Sequence, residues 1–150
     1  MKGNSIFSRL TRFATGSTYT HVCMSIGWGV VLDIDGFRKA AIRELSESNG
    51  FVVLRSQTPL DSYQSRRVRI VAEQLVLESK GYDWIEAIKI LMKRIGWAFP
   101  FVGKPKRFIC TELCIEALSR VGVEIKPLSL EPDHLMTTPG LVSITDEVVI

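Results

Sequence analysis

Cysteine and histidine are scarce in this chain of 150 residues, with three of the first and two of the second. Neither a CxxC nor an HExxH pattern occurs, so little is left from which to build a zinc site, and no metal or other cofactor is expected. Three thiols cannot all pair with one another, and Cys110 and Cys114 stand one helical turn apart, which favours reduced thiols over a disulfide framework. No stretch approaches the roughly 20 apolar residues of a membrane span. The opening MKGNSIFSRLTRFATGS has basic residues but no apolar run of secretory type. The expectation is a protein made in the cytoplasm, without a transmembrane segment. An excess of one charge sign is also largely missing: a net charge of +3 and a pI near 8.9 mildly favour anionic partners and do not argue for nucleic acid. There is no internal repeat, linker or low-complexity tract.

What is present is the composition of an ordinary globular protein, 46% hydrophobic and 23% charged, in a length that supports one domain over residues 1–150. Ile6, Leu10 and Phe13 predict a short amphipathic helix over residues 5–14, closed by Gly16. HVCMSIGWGVVLDIDGF has apolar and β-branched residues on both sides of Gly27-Trp28-Gly29, the pattern of a hairpin. Residues 38–45 and 51–55 read as further strands, so an antiparallel meander is expected to fill the first third. Asp61 and Gln64 have the spacing of a capping box. Val68, Val71, Ala72, Leu75 and Ser79 form one stripe, which predicts a helix over 62–80. Trp84, Ile88, Leu91, Met92 and Ile95 predict a second helix ending at Gly96. A third runs from about 111 to Gly122, and LVSI is a last strand. Strands grouped first and helices later give an α+β fold.

The stretch RFICTELCIEALSRVG carries the chemistry. Cys114, Ala117, Leu118 and Val121 share one face, which makes Cys114 a small core residue. Cys110 comes before that stripe, where unpaired N–H groups and the positive end of the helix dipole favour thiolate. It reads either as a packed thiol or as a nucleophile. A nucleophile needs a base and a group that orients the base. His21 opens the first strand of the hairpin. With a three-residue loop, Met24 faces Leu32, Cys23 faces Asp33 and His21 faces Asp35, with both aspartates on the face of His21. A two-residue Trp28-Gly29 loop puts them on the opposite face.

TGSTYTHVCMSIGWGVVLDID resembles the segment that carries the catalytic histidine in circularly permuted papain-like hydrolases, relatives of NlpC-type cell-wall peptidases and lecithin:retinol acyltransferases. FICTELCIEAL resembles their nucleophile helix, GYDWIEA the Gly–Tyr–Asp helix between, and EPDHLMTTPGLVSI their closing segment. The likeness runs from about residue 5 onward, with histidine before cysteine. It implies a permuted papain-like (NlpC-type) fold, an antiparallel sheet packed on helices with the nucleophile at a helix N-terminus. Cys110 is then the nucleophile and His21 the base. The third polar residue lies twelve positions after the histidine, which is Asp33 rather than the Asp35 of the bare register; diagonal neighbours on a twisted sheet make either reachable. Tyr82 matches a family tyrosine that donates to the oxyanion with the Cys110 N–H, and otherwise reads as an aromatic packed on the core. Thr111 stands where the family usually has serine. The family's usual opening strand has no counterpart here: either the strand is lacking or the sheet is completed differently.

The resemblance implies a cysteine hydrolase working through an acyl-enzyme on an amide bond, in a peptide or cell-wall peptide. A cell-wall substrate would require a lysis or secretion route. The alternatives are a lipid ester or thioester hydrolase or acyltransferase using the same site, and a non-catalytic binding module on the same fold. The partner is a peptide or another small acyl-bearing substrate. WAFPFVGKPKRF offers Trp97, Phe99 and Phe101 as a groove wall edged by Lys104, Lys106 and Arg107, or as core aromatics with a solvated rim. Arg66, Arg67 and Arg69 spread around their helix as a solvated face, and His134 reads as a polar loop residue after Pro132.

Overall fold

The computed structural model describes residues 19–36, 38–45, 52–94, 96–97 and 104–144. The helix expected over 5–14 lies outside the described residues, as do Phe99 and Phe101. The architecture is α+β, with two small antiparallel sheets and four helices among the described residues. Strands β1 (Met24–Gly27), β2 (Val30–Asp33) and β3 (Ala41–Glu44) form one sheet in that order. Strand β4 (Leu54–Ser56) does not continue the meander. It pairs instead with β5 (Leu141–Ser143), far along the chain, in a second sheet.

The first hairpin combines both loop geometries. Its turn is the two-residue Trp28-Gly29, with φ of 58° and 72°, the left-handed pair that suits the twist of the flanking strands. A bulge between Ser25 and Gly27 then adds one residue to β1, which restores Met24 opposite Leu32. The regular part of β1 begins at Met24, so His21 lies just ahead of the strand rather than opening it.

Helix α1 (Ser62–Glu78) starts at a complete capping box: Asp61 Oδ1 accepts the Gln64 N–H at 2.7 Å, and Gln64 Oε1 accepts the Asp61 N–H at 3.0 Å. Its Val68, Val71, Ala72 and Leu75 are buried, and Ser79 caps the C-terminus with its N–H on the Leu75 carbonyl. Helix α1 packs on β1, β3 and on α3 (Cys110–Arg120). The core joins Leu32 and Ile34 of the hairpin to Val71 and Leu75 of α1 and Cys110, Leu113 and Ala117 of α3. Leu75 is completely buried. Leu75→Ala therefore removes about 2–5 kcal/mol of stability, whereas Leu77→Ala, at a side chain 86% exposed, changes it by no more than about 0.5 kcal/mol. Urea unfolding of the two variants measures both.

Helix α2 (Trp84–Arg94) is anchored by Asp83, whose Oδ1 accepts the Ile85 and Glu86 N–H groups while Oδ2 accepts the Lys104 N–H at 3.0 Å. Residues 80–83 run parallel to 106–108, with Lys80 N–H on the Lys106 carbonyl, Phe108 N–H on that of Gly81 and Asp83 N–H on that of Phe108. This pairing carries Tyr82 beside the entrance of α3. Trp84 lies against Gly36, where an added Cβ would stand 2.8 Å from the indole, so any side chain there would displace the ring. A short α4 (Pro132–Leu135), with proline at its start, completes the elements.

Candidate active site

Cys110 is the first residue of α3, following an extended Ile109 with φ −83° and ψ 166°. Isoleucine has no side-chain acceptor, so this helix start is capped from one side alone: the Glu112 carboxylate reaches back to the Ile109 N–H at 3.0 Å. The N–H groups of the first turn, Cys110 among them, have no acceptor within the helix and direct their positive ends toward the sulfur's surroundings. Only 5% of Cys110 is exposed. Burial alone would push its thiol up, but hydrogen bonds from the His21 imidazole and the Val22 backbone N–H, with the charge of His21, outweigh it and hold the thiol below its ordinary range. Thr111, next along, is completely buried.

The structure brings His21 to that sulfur from the chain just before β1. Its Nε2–H donates to Asp33 Oδ1 at 2.5 Å, which leaves Nδ1 as the nitrogen for Cys110. Burial opposes charge on the ring, yet the bonds to Asp33 and Cys110 prevail and raise the imidazole to about 10. The raised imidazole and the lowered thiol both favour an imidazolium between a thiolate and a carboxylate. Asp33 stays ionised although burial opposes it, because His21 and Arg43 hold its carboxyl below the ordinary range. The bare register put His21 opposite Asp35; the contact goes to Asp33, the diagonal neighbour at a separation of 12 residues.

Arg43 escaped the sequence reading. Its Nη1 donates to Asp33 Oδ2 at 2.7 Å and to Asp35 Oδ2 at 3.2 Å. The β2–β3 register explains the contact, since Asp33 faces Ala41 and Val31 faces Arg43, which puts the arginine diagonal to Asp33. Only the strand pairing reveals this: an isolated REL sequence gives no sign of it.

Tyr82 is half-buried, packs on the core beside Cys110, and meets the Trp84 ring at a tilt of 60° with ring centroids 5.1 Å apart. Burial and the nearby Cys110 sulfur push its hydroxyl up, so it stays a proton-bearing donor throughout the working range. Cys114 is buried and its thiol is raised well above the ordinary value by that burial, as fits a core residue. Cys23 is raised to about 11, chiefly by burial and then by Asp33. Neither competes with Cys110 as a thiolate, and none of the three is in a disulfide.

Of the expected groove wall only Trp97 lies among the described residues, and it stands away from the Cys110 site. Trp97 lines a cavity of about 430 Å³ with Lys89, Lys93, Leu130 and Glu131, and none of Cys110, His21 or Asp33 borders it. Lys104 and Lys106 are exposed, and Arg107 turns back to the Tyr82 carbonyl at 3.4 Å. His134 sits in α4, with its Nδ1 3.8 Å from the Glu131 carboxylate. Among the described residues no cluster of three or more His, Cys, Asp or Glu side chains could hold a metal ion, and no helix is long and apolar enough to cross a membrane. No protein-family model matches this chain, and no curated protein does at a significant level.

Proposed function

We infer that the chain is a thiol-dependent hydrolase that cleaves an amide bond, in a peptide or cell-wall peptide, on a permuted papain-like fold. The observation that carries this reading is the junction of Cys110, His21 and Asp33. A thiol at a helix N-terminus, an imidazole bonded to it, and a partly buried carboxylate 2.5 Å from the far side of that imidazole make a nucleophile, its acid–base partner and the group that orients the partner.

In the first half-reaction the Cys110 thiolate forms a C–S bond to the carbonyl carbon, and the oxyanion is met by the Cys110 N–H and the Tyr82 hydroxyl. The His21 imidazolium then gives its proton to the leaving amine as the C–N bond breaks, which leaves an acyl-enzyme and a neutral imidazole. Water enters, His21 takes its proton, and the thioester is hydrolysed back to thiolate and carboxylic acid. Asp33 keeps the ring in the tautomer and orientation that both proton transfers use.

The test incubates the protein separately with muropeptides and with phospholipids and weighs the Cys110 peptide by mass spectrometry. An adduct from the muropeptides supports the amidase reading. An adduct from the phospholipids alone transfers the site to lipid acyl chemistry. No adduct from either, with Cys110 alkylated no faster than a free peptide thiol, leaves a binding module. In the amidase, Tyr82→Phe keeps the ring and removes the donor, and lowers kcat by about a hundredfold with KM little changed. A loss below about threefold assigns Tyr82 to packing.

A further inference from the structure

We propose that Arg43 is a positioning residue that acts on Cys110 through Asp33 and His21, fixing the carboxylate so that one of its oxygens faces the imidazole. This rests on the hydrolase reading of the site and extends it by one residue, on a strand that carries none of the reacting groups.

An aspartate carboxylate turns about a broad terminal torsion, so a single bond to a histidine does not fix its plane. Asp33 has both oxygens engaged: Oδ1 takes His21 Nε2–H at 2.5 Å, and Oδ2 takes Arg43 Nη1–H at 2.7 Å. Arg43 is itself held at several points. Its backbone is registered opposite Val31, the same Nη1 reaches Asp35 Oδ2 at 3.2 Å, and Nη2 donates to the Lys39 carbonyl at 3.5 Å. The guanidinium is 25% exposed and Asp33 14%, so the pair is not a loose surface contact. A second partner on the orienting carboxylate is the arrangement by which outer residues fix inner ones. Registry of the sheet does not need the pair, since β2 and β3 already match over four residues.

Deleting Arg43 has two separable effects. Loss of its charge disfavours the Cys110 thiolate and favours the imidazolium. Loss of its grip frees Asp33 to turn, which weakens the imidazolium and, through it, the thiolate. Both raise the pH at which the thiolate forms. They move the loss of the imidazolium in opposite directions, upward for charge alone and downward for lost grip.

The experiment measures the rate at which chloroacetamide alkylates Cys110, read by peptide mass spectrometry between pH 4 and about 11, with circular dichroism confirming the fold at each pH. It needs no substrate. In the parent protein the profile has an inflection at thiolate formation and a second near 10, where His21 loses its proton. Arg43→Ala raises the first and lowers the second, narrowing the window by about one pH unit or more. Arg43→Lys retains the charge, loses the planar fork and narrows it part-way. In an Asp33→Asn background, where the window is already narrow, Arg43→Ala narrows it no further and the charge effect alone moves both inflections upward together. An unchanged window in Arg43→Ala, a second inflection that moves upward, or an equal narrowing in the Asp33→Asn background overturns the proposal. Arg43→Gln serves if the alanine variant does not fold. If the parent Cys110 instead titrates like a free peptide thiol and His21→Ala leaves it unchanged, the hydrolase reading fails, and the assignment of Arg43 fails with it.

Discussion

Cys110→Ala lowers amide hydrolysis by about ten-thousandfold or more while leaving the fold intact, and His21→Ala approaches the same loss. The two act as a unit. Without the sulfur there is no atom to form the acyl-enzyme, and without the imidazole the amine departs unprotonated. The double variant is therefore scarcely worse than either single one. Cys23→Ala and Cys114→Ala are the controls. Cys23 is raised to about 11 and Cys114 well above its ordinary value, so both stay protonated near neutrality and their loss leaves kcat within a few-fold. Cys114 is buried in the core, so its replacement shows in stability rather than in turnover. Progress curves on a defined muropeptide, with far-ultraviolet circular dichroism of each variant, decide the matter. Retention of a tenth of the parent rate by Cys110→Ala removes the nucleophile from the proposed mechanism.

Where local signals were strong, the sequence carried the fold. Asp61 and Gln64 predict the capping box that starts α1, and the stripe Val68, Val71, Ala72 and Leu75 is buried as its spacing requires. Asp33 is implied by the family resemblance and not by the bare register, which points to Asp35, and the His21–Asp33 contact forms at 2.5 Å. Periodicity fails where a contact depends on how remote segments align. The bulge after Ser25 adds one residue to β1, so neither simple hairpin loop describes it: the turn is the shorter one and the register belongs to the longer. The β4–β5 pairing joins Leu54 to Ser143, with all four described helices between, and no local pattern announces it. Arg43 was hidden for the same reason. Its reach to Asp33 follows from the β2–β3 register, and an arginine on a short exposed-edged strand otherwise reads as a solvated charge.

The proton inventory of the Cys110–His21 pair gives a stability profile that a packed thiol beside a structural histidine does not. Folding raises His21 from 6.5 to about 10, so its contribution is complete below pH 6.5 and is lost as pH rises through about 10. Folding lowers Cys110 from 9.0, so its contribution is complete above pH 9.0 and is lost as pH falls through the lower folded value. Between pH 9.0 and whichever is higher of 6.5 and the lowered thiol value, the two slopes cancel. The folded pair holds one proton there, on the imidazole, and the unfolded chain also holds one, on the thiol. Above 9.0 the folded state binds the extra proton and stability falls; a thiol lowered past 6.5 adds an acid flank, between its folded value and 6.5, on which the unfolded chain binds the extra proton and stability rises with pH. Each flank has a slope of about 1.4 kcal/mol per pH unit. Subtracting the curve of Cys110→Ala/His21→Ala removes the other titrating groups, and urea unfolding at half-unit steps from pH 5 to about 10.5 traces the difference. A plateau that ends in a descending flank above pH 9.0 is the mark of a thiolate–imidazolium pair formed before any substrate arrives. A flat difference means the proton stays on sulfur at rest, and His21 must then remove it during attack, which makes it a general base in the first step instead of a general acid already charged for the leaving amine.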